Sequence, residues 1–338
     1  LIKLGVVGYG TIGRRIAEAI AVQPDMELVG VVKRTPDYKA LIAANRNIDL
    51  YALDEASYEL FQERGVPCKG VLDDLLENID MVIDSSPAGM GAKNKAKYEN
   101  YGLKMVFQGG EDSSVAEVSF VSECSYEKAY GKNAIRVVSC NTTGLSRLIY
   151  CLNEAFKVKH VFAVLVRRSA DPEETRKGPI DAIVPDIKIP SHHARDVNTV
   201  LDVPIVTMAV KVPVTHMHVH ALEVKLGSKA TREDVIDVLE EASRIILIDV
   251  EDGLSSTGRL FDYARLKGRP MGNIYELMIW RDSIKINGDK LYLFQAVHQE
   301  AIVIPDNIDA VRSAMKLGLK GESIRITNAT LGITGRAF

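Results

Sequence analysis

Short apolar runs alternate with helical periodicity through the first part of the chain, the rhythm of strands joined by crossover helices. "IKLGVV" is an apolar strand, and Ile12, Ile16, Ala17, Ala19 and Ile20 then outline one helix face. "MELVGVV", "IDMVIDSSP" and "LKMVFQGG" predict further buried strands, the last pair separated by a helix over Ala92 to Tyr101, and "AIRVVS" predicts the final strand of this region. Helical spacing resumes at Leu145, Leu148 and Ile149. Beyond it, "KHVFAVLVRRSADP", "VPIVTMAVKVP" and "THMHVHALEVKL" read as strands rich in valine and alternation. "TREDVIDVLEEASR" has helical periodicity, "IILIDV" is a short strand, and a pair of strands flanks the Asn287-Gly288 hairpin signal. A last helix is expected from about Asp306, with a proline at its start. The chain is therefore expected to be α/β. A Rossmann-type, mostly parallel sheet occupies 1–139, an α+β domain with a mixed or antiparallel sheet occupies 140–303, and a C-terminal helix and tail, 304–338, return to the first domain.

The first strand-to-helix turn carries Gly8-x-Gly10-x-x-Gly13. Between a strand and a helix those glycines permit a tight turn and close approach of a pyrophosphate to the helix N-terminus, which makes 1–139 a dinucleotide-binding domain. An NAD-selective site places a carboxylate on the ribose hydroxyls at the end of the second strand. This chain has Lys33 and Arg34 there, a pair suited to the 2′-phosphate of NADP, while the bland reading is a solvated strand end. Strand C-termini in such a sheet face a ligand crevice, so Ser85, Ser86, Pro87, Gln108, Gly109 and Gly110 are expected to line it.

Cys140 follows the last of these strands and precedes a helix. A thiol at a helix N-terminus feels a field that favours the thiolate, so a nucleophile is expected; the alternative is a small buried residue at a strand end. Period two places His216, His218 and His220 on one strand face, where one could serve as a base for Cys140, or all three as zinc ligands. Arg167, Arg168, Lys177 and the pair His192-His193 supply groups for an anionic substrate.

Charge excludes more than it assigns. A net charge of −3 over 338 residues, with 26% charged and 46% hydrophobic, argues against a coat for nucleic acid or anionic membrane. No apolar run is long enough to span a bilayer, and a cytoplasmic protein is expected. The cysteines, Cys68, Cys124, Cys140 and Cys151, have no metal-ribbon spacing, and no metal is expected. Glutamine is scarce, a composition found in proteins from hot environments, where an intracellular Cys124–Cys151 disulfide becomes conceivable.

Taken together, "GYGTIGRRIAEAI", "FQGGE", "VVSCNTTGL", "VRRSADP", "KGPIDAIVP", "PSHH", "EDGLSST" and "AVHQE" make the chain resemble the archaeal type of phosphorylating glyceraldehyde-3-phosphate dehydrogenase along essentially its full length. The resemblance implies a homotetramer that oxidises glyceraldehyde 3-phosphate with inorganic phosphate and NADP or NAD, in glycolysis or gluconeogenesis. It implies Cys140 as nucleophile and His218 as the base, with Ser139, Asn141, His192 and His193 at the substrate. Thr11, Ile12, Gly109, Arg168 and Gln299 are implied as cofactor contacts, beside Gly8, Gly10 and Gly13. Arg167 competes closely for the arginine role and is assigned to the substrate. Arg167, Arg168 or Lys177 would hold the phosphates.

Overall fold

The computed structural model describes residues 1–174 and 178–338, so Lys177 lies outside the described residues. The chain divides into two compact units, one of residues Leu1–Val138 with Ile304–Leu331, the other of Ser139–Val303 with Gly332–Phe338.

The first unit is built on seven parallel strands: β1 (Ile2–Val7), β2 (Met26–Lys33), β3 (Leu50–Ala52), β4 (Met81–Asp84), β5 (Lys104–Gln108), β6 (Val118–Phe120) and β7 (Ala134–Val137). Their order is β3-β2-β1-β4-β5-β7-β6. Every β4 and β7 residue is buried, which is why these strands read as continuous apolar runs rather than alternating ones. β7 is not the last strand in space: the three-residue β6, too short to show a pattern, forms the edge. Leu75, Val82, Tyr98 and Phe107 belong to one core cluster of this unit. The helix expected over 92–101 spans Met90–Asn100.

The helix expected from about Asp306 spans Ile304–Met315 and is buried along its polar as well as its apolar side. Asp306 accepts from the Ser122 backbone N–H at 2.8 Å, and Asp309 accepts from Ser323 and Thr327 at 2.6 Å each. Arg312 donates to both oxygens of Asp25 at 2.7 Å. These pairings meet the cost of burying polar groups. They also recruit a further helix, Lys320–Leu331, that the hydrophobic pattern does not show, because three of its buried residues are Ser323, Thr327 and Asn328. The tail departs from expectation: Gly332–Phe338 belongs to the second unit, where Lys267 Nζ donates to the Ala337 carbonyl at 2.8 Å.

The second unit carries a mixed sheet: β8 (Val158–Arg168), β9 (Val184–Pro185), β10 (Ile205–Val212), β11 (His218–Leu226), β12 (Ile245–Ile248), β13 (Leu277–Trp280), β14 (Lys285–Asn287) and β15 (Lys290–Val297). The order is β12-β13-β15-β11-β8-β10-β9, with β14 paired to β15 alone. β11 runs antiparallel to both neighbours, and β10 runs parallel to β8. The Asn287-Gly288 signal closes the β14–β15 hairpin, with Asn287 opposite Lys290 and Gly288 at φ +62°. Against this sheet packs the helix Cys140–Phe156.

Candidate functional site

Cys140 is the first residue of its helix, and Ser139 caps it. The Ser139 hydroxyl accepts from the Thr142 backbone N–H at 3.4 Å and lies 2.9 Å from the Thr142 hydroxyl, which donates to Asp196 at 2.6 Å. The cap is therefore tied to the helix His192–Asn198, which holds Asp196. The helix is also held further along its length. Arg147 is fully buried and donates to the carbonyls of Tyr275 and Ile302 at 2.7 and 3.0 Å.

The sheet answers with His218, whose Nε2 lies 3.5 Å from Cys140 Sγ. Its Nδ1 accepts from the Arg168 backbone N–H at 3.0 Å, so the neutral ring carries its proton on Nε2, facing the sulfur. His220 is one alternation further along and reaches the neighbouring Asn141, 2.8 Å from Nε2 to Oδ1. His216 does not share this face. Met217 adopts φ +66°, which ends the extended run, and the His216 ring stacks on Phe261 with centroids 4.1 Å apart. The three-histidine zinc reading fails for that reason. Gln299, expected at the cofactor, spends both ends of its amide on this turn: Oε1 accepts from Met217 N at 2.8 Å and Nε2 donates to the Thr215 carbonyl at 3.0 Å.

The electrostatics differ from the expected low-pKa thiol. Burial pushes the Cys140 thiol up, against the pull of Arg168, Arg167 and the Asn141 backbone N–H. Burial, reinforced by His220 and both arginines, holds His218 well below the usual imidazole range. The resting pair is thus a neutral thiol beside a neutral imidazole, because desolvation outweighs the helix field.

Arg167 is the cation shared by the site, acting on Cys140, His192, His193 and His220. Its Nε is buried with no hydrogen-bond partner among the described residues. Arg168 is paired through one terminal nitrogen to Asp171 at 2.8 Å, and its Nε is likewise buried with no partner among the described residues. His192 is exposed and His193 buried, with their rings 3.9 Å apart. The His193 Nδ1 sits 3.0 Å from the Ser191 hydroxyl, and burial brings its pKa down to about 2. None of the cysteines is in a disulfide, and Cys124 and Cys151 belong to different units.

In the first unit the glycine turn fits a dinucleotide. Gly10 caps the helix Thr11–Ala21 with no side-chain bond and no acidic residue in the first turn, an arrangement that suits an anion at the helix N-terminus. The space beside Gly10 is open, whereas a Cβ on Gly13 would fall 1.9 Å from the Gly8 carbonyl oxygen. Thr11 and Ile12, both half-buried, form the first turn of that helix, and Gly109 follows β5. Gln108, expected to line the crevice, donates to Asn307 at 2.7 Å. Lys33 is paired with Asp37 at 2.8 Å, and Arg34 is exposed. Sequence reasoning missed Gly144, Asp196 and Gln295, because only the pairing of helix and strands brings them to the site.

Residues 139–283 match the family described as glyceraldehyde 3-phosphate dehydrogenase, C-terminal domain, and residues 2–119 match dihydrodipicolinate reductase, N-terminus. Over 98% of its length the chain is 49% identical to the glyceraldehyde-3-phosphate dehydrogenase of Thermococcus kodakarensis and 50% identical to that of Pyrococcus abyssi, covering 99% of each. It is 52% identical to that of Hyperthermus butylicus, again over 98% of this chain, and covers 97% of that protein. With a nucleotide-type sheet in one unit and a Cys-His pair within the matched C-terminal region, the chain belongs to the glyceraldehyde-3-phosphate dehydrogenase family.

Proposed function

We propose that this oxidoreductase converts D-glyceraldehyde 3-phosphate and inorganic phosphate to 1,3-bisphosphoglycerate through a thioacyl intermediate on Cys140, using NADP or NAD. The observation that carries the reading is the 3.5 Å approach of Cys140 Sγ to His218 Nε2 at the start of a helix. The glycine turn with Thr11 and Ile12, together with Gly109, would hold the dinucleotide, and Lys33 and Arg34 its 2′-phosphate. Ser139, Asn141, His192, His193 and Arg167 would hold the substrate. The unpaired Nε of Arg167 supports its role toward a phosphate.

The thiol first loses its proton to solvent, and the thiolate is met by the Nε2–H of His218 and the charges of Arg168 and Arg167. A C–S bond forms at the aldehyde carbon, and the carbonyl electron pair moves to oxygen. His218 donates to that alkoxide. The nicotinamide, when bound, supplies the acceptor for the hydride leaving this carbon. Because the oxygen is already deprotonated, its C=O re-forms without a base, and His218 serves as a donor in place of the expected base. Phosphate then adds to the thioester, and Cys140 leaves as thiolate.

The same reading carries a cytoplasmic homotetramer. Exposed apolar residues such as Ile180, 92% exposed, and Ile187, 81% exposed, support the self-association in that reading.

Phosphate-dependent reduction of NADP and NAD by the wild type, lost in Cys140→Ser, tests the reaction. His218→Ala should lower kcat by roughly 10²–10³, the loss of one oxyanion donor. His218→Gln keeps an N–H donor but has no basic nitrogen, so it should recover part of that loss. Equal activity of the Gln and Ala variants would return His218 to the role of base.

A further inference from the structure

The antiparallel register of β11 and β15 sets His220 directly opposite Gln295. Gln295 Nε2 lies 2.9 Å from His220 Nδ1, and His220 Nε2 lies 2.8 Å from Asn141 Oδ1. All three side chains are buried, and Asn141 is the residue that follows the nucleophile. Burial and Arg167 bring the His220 pKa to about 3, so the ring is neutral at working pH, with one donor and one acceptor nitrogen. An amide that donates into Nδ1 leaves the proton on Nε2. That proton goes to Asn141 Oδ1, and the carbonyl end of the Asn141 amide is occupied. Its Nδ2 has no partner among the described residues. The Gln295 Oε1 is buried with no partner among the described residues, a cost that packing alone does not explain.

We propose that Gln295 and His220 are positioning residues that fix the polarity of the Asn141 amide, so that its N–H end is presented to an anionic oxygen of the bound substrate. An unsupported asparagine could turn over and offer its carbonyl, which would repel the alkoxide formed at Cys140. A neutral imidazole held in one tautomer by Gln295 prevents that turn. The inference rests on the covalent reading given above and deepens it: the oxyanion is met from one side by His218 and from the other by Asn141.

Gln295→Glu is nearly isosteric, but an ionised carboxylate only accepts. It places the proton on His220 Nδ1, makes Nε2 an acceptor and draws the Asn141 N–H away from the substrate. The expected result is a fall in kcat of roughly 10²-fold with little change in KM for the aldehyde. The rate and pH profile of Cys140 alkylation by iodoacetamide should stay as in the wild type. Gln295→Met, which removes the lock without reversing it, should lose less. In an Asn141→Leu background, Gln295→Glu should cost nothing further. Nitrogen-15 spectra of histidine-labelled protein should show His220 protonated at Nε2 in the wild type and at Nδ1 in Gln295→Glu, whatever the enzyme turns over. An Nδ1-protonated wild type overturns the inference, as does an undiminished penalty in the Asn141→Leu background. A wild type without phosphate-dependent turnover but with the Nε2 tautomer would instead overturn the covalent reading and leave the His220 lock in place.

Discussion

The end of β2 shows how one neighbour changes the meaning of a charged side chain. Lys33 and Arg34 are legible in the sequence as a cationic pair, but Asp37 already holds Lys33 at 2.8 Å while capping the helix Tyr38–Asn45 through the backbone N–H groups of Lys39 and Ala40. A phosphate that uses Lys33 must compete with that carboxylate, so Arg34 carries the larger share of any preference for NADP. Arg34→Ala should raise KM for NADP by about tenfold, the equivalent of one charge-assisted contact, with little effect on NAD. Asp37→Asn keeps a good helix cap yet frees Lys33, and should lower KM for NADP relative to NAD. Steady-state kinetics with both cofactors decides: parallel shifts would show that this strand end does not read the 2′-phosphate. Cys140 gives a second case. Its position at a helix start is visible in the sequence, but the desolvation that raises its pKa depends on which distant segments cover it.

Elements meet through contacts that no periodicity records. A Cβ on Gly144 would stand 2.6 Å from Val297 Cγ2, and Val297 is the β15 partner of His218. The absence of a side chain at Gly144 therefore lets the helix bearing Cys140 close on the sheet bearing His218. Gly144→Ala should destabilise the protein by about 1–3 kcal/mol through overpacking and reduce kcat by moving Cys140 from His218. Val297→Ala in the same chain should restore part of both, measured by urea unfolding and turnover. A neutral Gly144→Ala would mean that the contact has slack. The alternation of "THMHVH" was informative only from His218 onward. One residue with positive φ, Met217, reversed the phase of His216, and its side chain is 1% exposed in the cluster with Ile246, Ile248 and Leu260.

For the whole molecule, the buried histidines tie stability to acidity. His193 and His220 have pKa values brought down to about 2 and about 3, chiefly by burial, and His218 is also held low. These folded values lie below the unfolded one of about 6.5, so below that pH the unfolded chain binds protons that the folded chain refuses. Stability is full above about pH 6.5 and falls as pH drops towards 3, by about 1.4 kcal/mol per pH unit for each histidine kept neutral. The midpoint of urea unfolding should decline from pH 7.5 to 5, and His193→Gln should flatten the decline; a constant midpoint would show that these rings take up protons while folded. The sequence by itself determined the parallel sheet, the glycine turn, the placement of a cysteine at a helix start and the family, because these depend on local periodicity, turn chemistry and contiguous motifs. Tertiary structure alone decided that His216 leaves the face of His218, that Lys33 is already paired, and that Gln295 lies against His220. Those outcomes depend on strand register and on the water excluded when distant segments pack, and neither is a property of any one stretch of chain.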